Sequence, residues 1–155
     1  MVEYPAHTYP QLRPPDRKEP EIPAALEYRF DHLHVFCSDL DATERWFVEG
    51  LGATRVDRRE ARGAVTIELA LGGAAVLLRG ARPGEQLALA SARQFGADHF
   101  GLSVADVDAT IAALRRRGVT IDVEPWDFSP TMRIAFVKGP DNVRIELVQT
   151  TPPSA

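Results

Sequence analysis

An α+β fold built from one βαβββ unit used twice is what this sequence predicts, and three observations carry the prediction. The first is internal self-similarity. The segment Asp31-His32-Leu33-His34-Val35-Phe36-Cys37-Ser38-Asp39-Leu40-Asp41-Ala42-Thr43 aligns with Asp98-His99-Phe100-Gly101-Leu102-Ser103-Val104-Ala105-Asp106-Val107-Asp108-Ala109-Thr110 at a shift of 67 residues. Asp, His, Asp, Asp, Ala and Thr recur identically, and apolar positions keep step with apolar positions. The second is a later match at a shift of 69, where Gly72-Gly73-Ala74-Ala75-Val76-Leu77-Leu78 lies against Asp141-Asn142-Val143-Arg144-Ile145-Glu146-Leu147. A short insertion in the second copy accounts for the change of shift. The third is the order of patterns within each copy: strand, helix, then three strands.

Each element has its own signal. Short apolar runs over residues 30–37 and 99–104 open the copies at strand length. Asp39 and Asp106 follow as N-caps, their carboxylates placed to accept from the first free helix amides. Helices are then expected from about 41 to 49 and from about 107 to 117, with Val107, Ile111 and Leu114 at helical spacing. Gly50 and Gly118 are the expected helix stops. Strands are expected over 53–57, 64–71 and 74–79 in the first copy and over 120–125, 132–138 and 143–149 in the second. Gly72-Gly73 and Gly139-Pro140-Asp141-Asn142 are the turn signals between them. Trp126 and Phe128 fall in a Pro-flanked loop from Pro125 to Pro130, at the mouth of a pocket or packed against it. Residues 28–149 thus form one domain, with module one at 28–80, a linker at 81–96 and module two at 97–149. A Pro-rich arm at 1–27 precedes it and a tail at 150–155 follows.

Composition bounds the function classes. A chain of 155 residues with 45% hydrophobic and 26% charged residues has the arithmetic of one globular domain with a real core. A single cysteine, Cys37, excludes an intrachain disulfide and fits a reducing cytosol. The arm lacks the apolar stretch of a signal peptide, and no run approaches the roughly 18 apolar residues that span a bilayer. A net charge of −4 argues against a binder that neutralises nucleic-acid backbone. No phosphate-binding loop, GxGxxG, CxxC, HExxH or nucleophile elbow is present.

Strand alternation sorts the side chains. Leu33, Val35 and Cys37 are expected under the first helix, which leaves His32, His34, Phe36 and Ser38 on the opposite face. In the second copy Phe100, Leu102 and Val104 pack, while His99, Gly101 and Ser103 share the other face. In the closing strand Ile145 and Leu147 pack, and Arg144, Glu146 and Val148 face away. If the two copies face one another, two histidines and a glutamate project into one space. Two neutral imidazoles and a carboxylate make a facial triad with open coordination sites, suited to one divalent ion of Zn, Ni, Co, Mn or Fe.

These segments, together with Ile134-Ala135-Phe136-Val137-Lys138-Gly139-Pro140-Asp141-Asn142-Val143-Arg144-Ile145-Glu146-Leu147, resemble the vicinal oxygen chelate superfamily over about residues 28–149. That family includes glyoxalase I, fosfomycin- and bleomycin-resistance proteins, methylmalonyl-CoA epimerase and extradiol dioxygenases. The resemblance implies sheets that curl into a half-open barrel flanked by helices, with metal ligands at His32, His99 and Glu146. Many members take a fourth ligand from the closing strand of the first copy, and here that position holds Leu77, or Leu78 if the register slips by one. Loss of that carboxylate weakens the glyoxalase I reading, which needs carboxylates beside the metal to move a proton. Phe136 near the expected Tyr, and no His between 100 and 146, weaken extradiol cleavage.

The resemblance therefore implies a metal-dependent enzyme of isomerase or lyase type. It would act on a small oxygen-chelating substrate through a metal-stabilised enolate, with His34 as a candidate base. A transferase like the fosfomycin-resistance enzymes, and a metal-free module that sequesters a drug in an apolar cup, are the alternatives. A homodimer is expected because each sheet edge needs a partner, with no nucleic-acid or membrane partner. The plainer readings are that His32 and His99 survive from a duplicated module and that Glu146 pairs with Arg144 or a neighbouring-strand Arg. Arg79, Arg133 and Arg144 could clamp an anion or simply be solvated, and Cys37 reads as an inert buried thiol.

Overall fold

The computed structural model describes residues 30–88 and 96–151. The Pro-rich arm, residues 89–95 of the linker and the end of the tail lie outside these residues. Module one runs β1 (His32–Phe36), α1 (Leu40–Arg45), β2 (Thr54–Ala61), β3 (Ala64–Leu71) and β4 (Ala74–Arg79). Module two repeats it as β5 (Phe100–Ser103), α2 (Val107–Arg116), β6 (Thr120–Ser129), β7 (Met132–Lys138) and β8 (Arg144–Thr150). Each module folds into one four-stranded mixed sheet, in the orders β1-β4-β3-β2 and β5-β8-β7-β6. The opening strand lies parallel to the closing strand in both, and the other pairs are antiparallel. Among the described residues the two sheets do not close into a barrel.

The expected local chemistry is in place. Asp39 accepts from the Ala42 amide at 2.9 Å, and Asp106 accepts from the Ala109 amide at 2.8 Å. The strand faces divide as alternation requires. Val35 and Cys37 are buried while His32, His34 and Phe36 are exposed, and Ile145 and Leu147 are buried on the helix side of β8. Phe47, Ile67, Leu69, Leu78, Val107, Ile111 and Leu114 join them in one apolar core that spans both modules. Each such side chain contributes about 1.5–3 kcal/mol on burial.

Three expectations need correction. The first helix is α-helical only to Arg45, and Trp46–Gly50 continues it as a π-helical turn. The wider turn carries the chain further before it reverses, so the left-handed residue is Gly52 (φ 78°) rather than Gly50. Gly50 is needed for another reason: a Cβ there would stand 2.9 Å from Val119 Cγ2 of module two. Second, β2 extends to Ala61 through the charged run Arg58-Arg59-Glu60, which suits an outer strand that must resist further pairing. Third, β6 extends to Ser129, so Trp126 and Phe128 belong to a strand and not to a loop. Pro125 is tolerated there because β6 is the outer strand of its sheet and its register slips between Val123 and Trp126.

The modules meet in a pseudo-two-fold manner. Past the end of β1, the Ser38 amide donates to Asp141 Oδ2 at 2.9 Å, in the turn that leads into β8. The turn that leads into β4 lies against the far part of β5, where a Cβ on Gly72 would stand 3.2 Å from Leu102 Cδ2. So the exit of each opening strand lies against the entrance of the other module's closing strand.

Candidate functional site

Each module places a histidine at the entrance of its opening strand. Asp98 and His99 stand just before β5, and β8 runs beside it with Gly101 opposite Glu146. That register brings His99 Nε2 to 3.2 Å from Glu146 Oε2. On the other side of the ring, Nδ1 lies 2.9 Å from Asp98 Oδ2. Phe136 on β7 meets the His99 ring edge-on, with centroids 5.1 Å apart, and Trp126 stacks on Phe136 at 5.8 Å. The Arg144 guanidinium lies 3.9 Å from the Phe136 ring centre and donates to Asp122 at 2.7 Å and to Asp98 at 3.0 Å. Arg144 therefore does not pair with Glu146, and Glu146 is turned to the histidine.

Module one carries the matching face with fewer polar groups. His32 Nδ1 lies 2.6 Å from Asp31 Oδ2, the same contact as in module two. His34 pairs across the strands with Leu77 as Gly101 pairs with Glu146, so Leu77 and not Leu78 stands at the fourth-ligand position. Leu78 is fully buried on the helix side. His34 sits between His32 and Phe36, at ring distances of 6.3 and 5.5 Å. Partial desolvation, then the charges of Arg79, His32 and Arg82, hold its imidazole below the usual histidine value and so keep it neutral.

Beyond these two faces the polar side chains satisfy one another. Arg79 lies over Phe36 at 4.4 Å and is locked by two hydrogen bonds to Glu85, and Arg133 is held by Asp108 and Asp127. None of the three arginines named from the sequence is without a carboxylate. Burial pushes the Cys37 thiol up and leaves it an inert core group. A cleft of about 340 Å³ between α1 and β2 is lined by Asp41, Glu44, Arg55 and Arg58. These four charges are paired with one another, since Glu44 accepts from Arg55 and Arg58 and Asp41 accepts from Arg58.

The sequence-predicted ligands thus divide. His99 and Glu146 come together, and His32 does not join them. Among the described residues no group of three or more His, Cys, Asp or Glu is arranged to hold a metal ion. The module packing explains why. His32 lies at the entrance of β1 and Ser38 past its exit, roughly 20 Å apart at about 3.3 Å per residue. It is the exit that meets the module-two turn before β8, so His32 and His99 stand at opposite ends of the inter-module contact. Sequence reading also misses the roles of Asp31, Asp98 and Arg144. The signal is the Asp-His dipeptide itself, which recurs in both copies.

The two donors that do meet fit a cation. Both carboxylates only accept and a neutral ring has one proton, so when that proton serves Asp98, the nearer of the two, the ring offers Glu146 a bare lone pair. Two acceptors 3.2 Å apart repel unless the ring is doubly protonated or a positive ion lies between them. Donors about 2.1 Å from a shared Zn²⁺ lie roughly 3.0–3.4 Å apart, which accommodates the observed spacing.

Paired βαβββ modules, each with a histidine at the entrance of its opening strand, define the class. The chain belongs to the Glyoxalase/Bleomycin resistance protein/Dioxygenase superfamily, whose family model matches residues 29–147. Solved structures with this fold include a glyoxalase family protein from Bacillus cereus, with a TM-score of 0.69 at 16% identity over 85% of this chain and 100% of that one. The glyoxylase/bleomycin resistance protein/dioxygenase domain from Frankia gives 0.67 at 21% identity over 84% of this chain and 96% of that one. Leishmania major glyoxalase I gives 0.62 at 24% identity over 79% and 87%. At these identities the likeness concerns the fold alone. A search of curated proteins finds no match. Among the described residues no helix is long and apolar enough to cross a membrane.

Proposed function

We propose that the chain is a metal-dependent enzyme of isomerase or lyase type, acting on a small substrate that offers adjacent oxygens. His99 and Glu146 would hold one divalent ion of Zn, Ni, Co, Mn or Fe, with His32 as the third ligand. The observation that carries this reading is the His99 ring set between the acceptors Asp98 and Glu146. When bound, the ion supplies Lewis-acid polarisation of a substrate oxygen, which makes the adjacent C–H bond easier to deprotonate. His34 would take that proton, a role supported by its place on the face of His32 and by its lowered basicity. Leu77 leaves that side of the site without a second carboxylate, so proton transfer through one base fits better than a two-carboxylate shuttle.

His32 would come from a second copy of the chain, since in one copy it stands away from the other two ligands. The faces that carry the ligands also leave apolar area uncovered, with Phe36 50% and Trp126 36% exposed. A homodimer that lays the β1 face of one copy against the β8 face of the other covers both and completes two sites. Metal analysis of the purified chain beside His99→Ala tests the reading. About one divalent ion per chain in the native protein and none in the variant is the expected result. No ion under any loading condition would overturn it. The aromatic and apolar lining of the second face, Trp126, Phe136 and Ile134, would then favour a metal-free ligand-binding protein.

A further inference from the structure

The geometry points to Asp98 as the residue that sets the tautomer of His99, with Arg144 holding Asp98 in place for that task. One oxygen, Asp98 Oδ2, lies 2.9 Å from His99 Nδ1 and accepts from Arg144 Nη1 at 3.0 Å. Arg144 is fixed in turn by Asp122 at 2.7 Å and by the Phe136 ring beneath it. The carboxylate is therefore not a mobile surface group that meets the ring by chance. Asp98 and Glu146 can both only accept, but Asp98 is the nearer, at 2.9 Å against 3.2 Å, and is held by Arg144, so it draws the one proton of the neutral imidazole to Nδ1 and leaves Nε2 bare toward Glu146. Asp31 makes the same contact with His32 at 2.6 Å. There Ala75 occupies the position of Arg144, and the Asp31 side chain is 90% exposed, so the hold is looser.

The consequence is a difference between the two histidines. His99 is pre-oriented as a ligand before any ion arrives, whereas the carboxylate beside His32 is exposed and no arginine stands at the place of Arg144. Partners of this kind fix ring orientation and raise ligand basicity, and their loss costs about 10–100-fold in metal affinity. Asp98 acts through His99 and is a positioning residue. Its effect on affinity rests on the metal reading above, whereas its effect on the ring does not.

The test reads the two separately. Long-range proton–nitrogen NMR on the ¹⁵N-histidine-labelled full chain, without added metal and at a pH above the ring's own titration, reports the His99 tautomer. The native chain should carry the proton on Nδ1. Asp98→Ala should move it to Nε2, and Asp98→Asn should keep it on Nδ1, because the amide oxygen still accepts. Zn²⁺ competition against a chromophoric chelator should then show roughly 10–100-fold weaker binding for Asp98→Ala and substantial recovery for Asp98→Asn. A His99 tautomer that ignores Asp98→Ala overturns the proposal. A tautomer that follows Asp98 in a chain that takes up no Zn²⁺ upholds the positioning role and refutes the metal-dependent function.

Discussion

The two modules share a backbone plan and differ in what they do with it. In module two, the residues leading into β5 and strand β8 carry Asp98, His99, Glu146 and Arg144 as one connected polar chain. In module one the same positions hold His32, Leu77, Asp31 and Ala75, and only the Asp-His contact remains. The core faces, by contrast, are equally apolar in both, with Leu78 and Leu147 buried at matching places. Burial constrains the helix side of each sheet, whereas the open face is free to diverge. The result is an asymmetric pair: under the proposed function one half would supply two ligands, and the other would supply one ligand and the neutral His34 beside it.

Exchanging residues between the modules breaks or sharpens this contrast. The largest effect belongs to the pair Glu146→Leu and Leu77→Glu. Glu146→Leu makes module two resemble module one and should abolish stoichiometric metal uptake. Leu77→Glu restores a carboxylate beside His32 and should tighten divalent-ion binding by roughly tenfold, because an added ligand charge raises affinity. Isothermal titration with Zn²⁺ measures both, and tighter binding by Glu146→Leu would break the comparison. The N-caps come next. Asp39→Ala and Asp106→Ala each remove one amide acceptor at the start of equivalent helices, and each should cost about 1 kcal/mol, or roughly 2–4 °C in melting temperature. Unequal losses would mean that the π-helical turn after α1 makes that helix less able to tolerate a missing cap.

A smaller difference should appear in acid. Module one alone ends on an Arg79–Glu85 pair, and the Arg79 guanidinium, helped by the Arg82 amide, holds the Glu85 carboxyl down at about 2. A depressed carboxyl contributes stability that is complete above its ordinary value of 4.5 and is lost as pH falls from there toward about 2. Glu85→Gln should therefore lower stability near neutral pH and flatten the loss on acidification. Denaturant unfolding at a series of pH values measures it, and an unchanged acid limb in the variant would contradict the assignment.

Much of this architecture is legible in the amino-acid sequence. The repeat, the caps and the face of each strand follow from local pattern, and β3, β4 and β7 have the bounds that alternation and glycine turns predict. Outer strands are harder. β2 and β6 carry Arg58-Arg59-Glu60 and Pro125, residues that read as turns or surface and are tolerated because one edge of each strand stays unpaired. The site divides in the same way. His32, His99 and Glu146 stand out by repeat position and parity, but whether they meet depends on how the modules dock. Docking is set by contacts such as Ser38 with Asp141 and Gly50 with Val119, which no local pattern encodes. Asp98 is visible as a repeated residue, but its role depends on where Arg144 lies, and that is a matter of strand pairing.

Metal content after subunit exchange tests most directly whether one cation is gripped by donors from two polypeptides. His32→Ala and His99→Ala, each unable to fill a site alone, are mixed, allowed to exchange partners and loaded with Zn²⁺. Random pairing should restore about a quarter of the native metal content, because each mixed dimer regains one intact site. Mixed protein as empty as its parents, or a His32→Ala protein that retains its full complement of metal, would contradict the account.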